Sequence, residues 1–216
     1  MAFLEQLKQD PNCLYLYNWG PFIYGLKKDC DEYLAVVSDT WSIPEDWVGE
    51  ITKADKYGYM LKEDNITYSI FQISYWFDLV LRGNLMCWEC ACMNKKFVLK
   101  EHVKLLMHTD PIQLRTLIDS QRERLFLRLE TGKVRIYDFW VWIKNCKFVN
   151  QILVNHKIVN FKEANPEYKQ LMERSNPDIL RHMLLELKDY KFLCDQTDGQ
   201  LLKSKIQKFL EREKNE

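Results

Sequence analysis

Glycine and proline are scarce in this chain, at 7 and 6 of 216 residues. So few turn formers exclude a turn-rich all-β sandwich and favour helices. No apolar run reaches the length of a bilayer span, and the N-terminus lacks a secretory leader pattern. The chain therefore reads as cytoplasmic, without a membrane partner. Charge of one sign is also lacking: 31 basic residues balance 31 acidic ones, for a formal net charge of +0. No global attraction to nucleic acid follows, so any such contact has to come from a local patch. The 4 histidines are scattered, with no sequence partner that marks a general base. A Ser-His-Asp or Cys-His arrangement, a P-loop, a dinucleotide fingerprint, internal repeats and low-complexity tracts are all absent.

What is present describes an ordinary globular protein, with 47% hydrophobic and 29% charged residues. The length suits one domain or two small ones with a proper core. Seven cysteines, an odd number and partly clustered, fit reduced thiols better than a disulfide framework.

Apolar residues at Phe3, Leu4 and Leu7 predict a short amphipathic helix over Ala2 to Gln9, stopped by Asp10-Pro11. Cys13 to Tyr17 reads as a strand, and so does the apolar run that ends at Val37. Ser38 to Glu50, with Pro44, reads as a loop. Lys56 to Leu61 and Ile66 to Tyr68 are weaker strand candidates. From Ser69 the period becomes helical, with Ile70, Ile73, Phe77, Val80 and Leu81 ending at Arg82-Gly83-Asn84, and Asn84 to Ala91 reads as a second short helix. Beyond it everything reads as helix: Leu99 to Met107, a long helix from Asp110-Pro111 to about Glu130, and an aromatic-rich one over Val134 to Val154. Thr131-Gly132 breaks the long helix, and Asn165-Pro166, Asn176-Pro177 and Asp198-Gly199 mark further helix boundaries. The organisation is α+β: a small head over residues 1–95, then a helical bundle over 96–216.

Chemistry concentrates between Tyr15 and Val37. An apolar run meets Gly20, Gly25 follows, and Asp29 and Asp31 flank Cys30 before the strand. Alternation along a strand would point both carboxylates the same way. Paired carboxylates of this kind suit Mg²⁺, which takes one or two of them together with substrate phosphates. A glycine turn beside them lets backbone N–H groups approach a phosphate. The alternative is a solvated turn, because Lys27-Lys28-Asp29-Cys30-Asp31-Glu32 is a charge run.

Gly20, Tyr24, Gly25, Asp29 and Asp31, with Gly83-Asn84 and Glu89 at about the expected distance, resemble the polymerase-β-like nucleotidyltransferases. Within these the pattern is most similar to the family associated with RNA repair. Pro21 stands where that family has serine, Leu85 where it has proline, and the loop from Gly25 to Asp29 is shorter. The resemblance implies a polymerase-β-type mixed sheet in the head. It implies transfer of a nucleoside monophosphate from an NTP to an acceptor, an RNA or tRNA end, with Mg²⁺ or Mn²⁺ held by Asp29 and Asp31. Gly20, Tyr24 and Gly25 would then shape the nucleotide loop, and Arg124 and Arg128, which share a helix face, would touch phosphates or an RNA backbone. The family's third carboxylate belongs near Thr67, where the nearest acid is Asp64, ahead of Glu63. Without it the chain becomes a catalytically inactive relative that binds a nucleotide, RNA or a protein partner.

Other clusters have plainer readings. Cys87, Cys90 and Cys92, with His102 or His108, offer zinc ligands, or else small apolar residues in a buried helix. Arg115, Arg122, Arg124, Arg128, Lys133 and Arg135 form a basic stretch that Asp119, Glu123 and Glu130 can neutralise. Tyr137, Phe139, Trp140 and Trp142 can stack a base, or pack a core.

Overall fold

Phe3, Leu4 and Leu7 all lie buried on one side of helix α1 (Ala2–Gln9), while Glu5 faces solvent. The helix stops at Asp10-Pro11, and Lys100 Nζ donates to the Lys8 and Asp10 carbonyls at its end, at 3.2 and 2.7 Å. The computed structural model describes residues 2–108, 110–130, 136–166 and 168–169. It divides into two compact units, Met1–His108 and Thr109–Glu216, so residues 96–108 lie with the first unit.

The first unit is built on strands β1 (Cys13–Asn18), β2 (Glu32–Val37), β3 (Glu50–Asp55), β4 (Gly58–Glu63), β5 (Ile66–Gln72) and β6 (Val98–Glu101). They form one mixed sheet in the order β3-β4-β5-β2-β1-β6, in which β2 and β5 run parallel and the other pairs antiparallel. The fold is α+β. One sheet face carries Leu16, Ala35, Val37, Tyr68 and Ile70 against α1, with the Phe3 ring edge-on to Tyr68 at 5.0 Å. The other face carries Phe71 toward Trp76 of α2 (Ile73–Leu81), their rings 5.9 Å apart. After Gly83, whose φ is +62°, Asn84 caps α3 (Leu85–Cys92) by accepting from Met86 N at 2.9 Å.

Several elements differ from the sequence reading. Ser69 to Gln72 is strand, and the helix begins only at Ile73. Ile70 satisfies both periods, and pairing with β2 and β4 decides the matter. Glu50–Asp55 is an edge strand with every side chain exposed, so it carries no burial pattern to read. The predicted helix over Leu99–Met107 is not formed. Val98–Glu101 pairs with β1 instead, Tyr17 opposite Val98 and Leu16 opposite Lys100. His102 N then donates to Leu14 O at 3.0 Å. That non-local ladder outweighs a local helical pattern.

The second unit contains α4 (Pro111–Glu130) and α5 (Ile136–Asn155). Asp110 Oδ1 accepts from Ile112 N at 2.9 Å, which caps the proline-initiated α4. Phe139, Trp140, Trp142 and Phe148 are buried, and Trp140 Nε1 donates to Ala164 O at 3.1 Å. The base-stacking reading of these rings is thus overturned, except that Tyr137 is partly exposed. Gln151 closes the end of α5, accepting from Val159 N and Asn160 N at 2.7 and 2.8 Å. Thr131-Gly132, Lys133, Arg135, Asn176-Pro177 and Asp198-Gly199 lie outside the described residues.

Candidate functional site

Between β1 and β2 the chain makes one short helical turn, Gly20–Phe22, with Pro21 as its second residue. Ile23 N, Gly25 N and Leu26 N donate back into the turn, to Gly20 O, Phe22 O and Pro21 O, at 3.2, 2.9 and 3.0 Å. Gly20 and Gly25 both have positive φ, +69° and +72°, which glycine adopts without the cost a side chain brings. At Gly20 space decides as well. A Cβ there would stand 2.5 Å from the Glu32 carboxyl carbon, so the missing side chain is what lets Glu32 lie against the turn.

Strand β2 begins at Glu32, and Asp29 and Asp31 precede it. Strand alternation therefore does not set the relation between the two aspartates, contrary to the sequence reading. Asp29 lies exposed in a bend, whereas Asp31 is half-buried at the mouth of the strand. Its backbone already joins the ladder, because Thr67 N donates to Asp31 O at 2.9 Å. Lys27 Nζ donates to Asp31 Oδ2 at 2.5 Å. Asp31 Oδ1 is buried and accepts no hydrogen bond from any described residue.

Glu32 is the residue that sequence reasoning passed over, because it reads as one more member of the charge run. Burial pushes its carboxyl above the ordinary 4.5, neighbouring Asp31 pushes it further, and Lys27 opposes both. A folded-state pKa above the ordinary value means that the folded chain holds this proton more tightly than the unfolded one. The stability it contributes is complete below about pH 4.5 and is lost as pH rises through the folded value. Glu32→Gln is therefore expected to stabilise the protein at about pH 7 and to give no such gain at about pH 4. Urea unfolding of both proteins at the two pH values checks this, and an unchanged pH dependence would reject it.

Thr67, near which the sequence reading expects a third acid, sits on β5 directly opposite Glu32 in parallel register. Paired residues of neighbouring strands project to the same face. On the opposite face the next pair, Tyr33 and Tyr68, stacks with ring centroids 5.5 Å apart. Asp64, the acid nearest in sequence, occupies the two-residue turn between β4 and β5 with φ +54°, a conformation that Asp and Asn tolerate. It is exposed. The turn lies at the same end of the sheet as the start of β2, one strand beyond Thr67. Glu63 accepts from Tyr68 Oη at 3.3 Å. Among the described residues, no three His, Cys, Asp or Glu side chains gather as a metal cage.

The two sequence landmarks meet inside the first unit. Tyr24 Oη, in the glycine turn, donates to Glu89 Oε2 on α3. Cys87 and Cys90 flank Glu89 on this helix as buried small residues, and burial pushes the Cys87 thiol up to about 12 and Cys90 up as well. Their burial in the helix suits the small apolar side chains of the plainer reading. Arg124 and Arg128 belong to the second unit. With Gln121, Asp138 and Trp142 they line an open pocket, in which Arg128 Nη1 pairs with Asp138 Oδ1 at 3.1 Å.

No protein-family model matches the chain, and no curated protein matches it in sequence. Among the described residues no helix is long and apolar enough to cross a membrane.

Proposed function

We propose that this protein binds a nucleoside triphosphate with Mg²⁺ or Mn²⁺ at the Gly20 turn, as a nucleotidyltransferase that moves a nucleoside monophosphate to an RNA end. The observation that carries the reading is the pair of carboxyl groups at the mouth of β2. Asp31 Oδ1 is buried without a hydrogen-bond donor among the described residues, and Glu32 is packed against the glycine turn. Oxygen donors of this type fit a hard divalent cation. Asp31 and Glu32 would hold the ion, with Asp29 close in sequence. When bound, the ion would neutralise phosphate charge, the dominant need in phosphoryl transfer. The chain's own part is to bring the Gly20–Gly25 turn, made compact by its two glycines, close to the phosphates. Lys27 supplies a positive charge beside the two acids.

A second reading is favoured by one residue. Thr67 offers a hydroxyl where activation of an attacking hydroxyl needs a carboxylate. On that reading the chain binds nucleotide or RNA and does not transfer. Incubation of purified protein with each labelled NTP, Mg²⁺ or Mn²⁺, and total RNA separates the two. Label joined to RNA supports transfer, and NTP binding without label in RNA supports the binding module. If neither occurs, both readings fail. Thr67→Asp places a carboxylate opposite Glu32 and is expected to raise transfer about tenfold or more. An unchanged or lower rate in a folded variant that still binds NTP would show that this position is not the third acid.

A further inference from the structure

Tyr24 and Glu89 are among the most enclosed polar side chains of the first unit, 3% and 2% exposed. They lie 65 positions apart, one in the glycine turn and one in the middle of α3. The turn belongs to no strand ladder. Its backbone bonds span only a few residues each, from Ile23, Gly25 and Leu26 back to Gly20, Phe22 and Pro21. Such bonds give the turn its shape but do not fix where it stands relative to the rest of the unit. The bond from Tyr24 to Glu89 ties it to α3, as the Phe22 ring against Phe97 and Glu32 against Gly20 tie it to its other neighbours.

The carboxyl group is an expensive means of filling space. Glu89 sits in a helix whose buried residues are otherwise Leu85, Cys87, Trp88 and Cys90. A polar group there costs free energy unless it is hydrogen-bonded, and an apolar side chain of similar length would pack without that cost. What the carboxyl adds is a directional acceptor for Tyr24 Oη. We infer that Glu89 is a positioning residue that acts through Tyr24 to fix the glycine turn against α3, and so sets where the turn meets a nucleotide phosphate. This rests on the nucleotide-binding reading above for its last step only.

The test uses the full chain and the variants Tyr24→Phe, Glu89→Gln and the double variant Tyr24→Phe/Glu89→Met. The double variant replaces both partners by apolar groups, which spares folding where a single change leaves a buried acceptor short of one donor. Hydrogen exchange of the peptide that spans Gly20–Leu26 is measured beside that of β2, and Mg·ATP affinity is measured by calorimetry. In Tyr24→Phe and in the double variant, exchange of the turn is expected to quicken about tenfold while β2 stays protected. Mg·ATP is expected to bind about tenfold more weakly, with Glu89→Gln between these variants and the unaltered chain. A purely structural role would lower the melting temperature and speed exchange throughout the unit without a selective effect on the turn. That result, or unchanged turn exchange in folded variants, overturns the inference. Selective loss of protection with unchanged Mg·ATP affinity overturns the link to phosphate. If the unaltered chain binds no nucleotide, the proposed function and this link fall together, and the exchange data still decide whether Glu89 fixes the turn.

Discussion

Asp31→Asn is expected to weaken Mg·NTP binding, and any transfer to RNA, by about a hundredfold or more, while leaving the fold intact. Asparagine keeps the size of the side chain and one carbonyl oxygen but removes the charge. The orphaned Oδ1 of Asp31 is the oxygen best placed to meet a cation, being buried and free of donors among the described residues. Its partner oxygen faces Lys27, an i,i+4 neighbour whose side chain is about half exposed at 48%. A pair so open to solvent contributes only about 0–1 kcal/mol, so its loss does not unfold the protein. The same exchange at Asp29 is expected to cost less, because Asp29 is exposed and precedes the strand. Calorimetry with Mg·ATP, run beside urea unfolding, separates binding from stability. An Asp31→Asn protein that binds Mg·ATP as tightly as the unaltered chain would end the metal reading of this site.

The parts of the fold that local sequence controls were legible. Helix α1, the two glycine landmarks, the Asn84 cap and the proline-initiated α4 all follow from side chains acting on their own neighbours within a few positions. What escaped is pairing across the sheet. Strand β3 carries no buried side chain, and β6 has a sequence that suits a helix until β1 offers it a ladder. The turn that carries Gly20, Tyr24 and Gly25 was legible as a glycine turn. Glu32 was hidden in a charge run because only the space left at Gly20 gives it a place to pack. The bond from Tyr24 to Glu89 was equally invisible, since it joins two landmarks that periodicity treats separately. Thr67 is the instructive position. Counting back from Gly83-Asn84 puts the expected third acid near it, and the register with Glu32 places it on the neighbouring strand, yet its own chemistry is that of a hydroxyl.

Gly58→Ala is expected to destabilise the protein by about 3 kcal/mol or more, the largest loss from so small a change in the first unit. Gly58 opens β4 opposite Phe71, with φ +147°, a region that side chains rarely enter. A Cβ there would lie 2.0 Å from Ile70 O and 2.9 Å from Ile70 C. These are backbone atoms of the adjoining strand, so no rotamer change relieves the clash, and β4 would have to move off β5. Ile70 itself is part of the core against α1, and β5 pairs on its far side with β2, which carries Glu32. Displacing the hairpin therefore exposes Leu61 and Tyr68 and loosens the strand that stands beside the site. At Gly20 the same substitution meets the movable carboxyl of Glu32 rather than backbone, so its cost is smaller and shows in nucleotide binding more than in unfolding. Urea denaturation of the two variants orders them. A Gly58→Ala loss below about 1 kcal/mol would mean that the β4–β5 ladder yields at its end, and that the edge hairpin is not coupled to the strand beside the site.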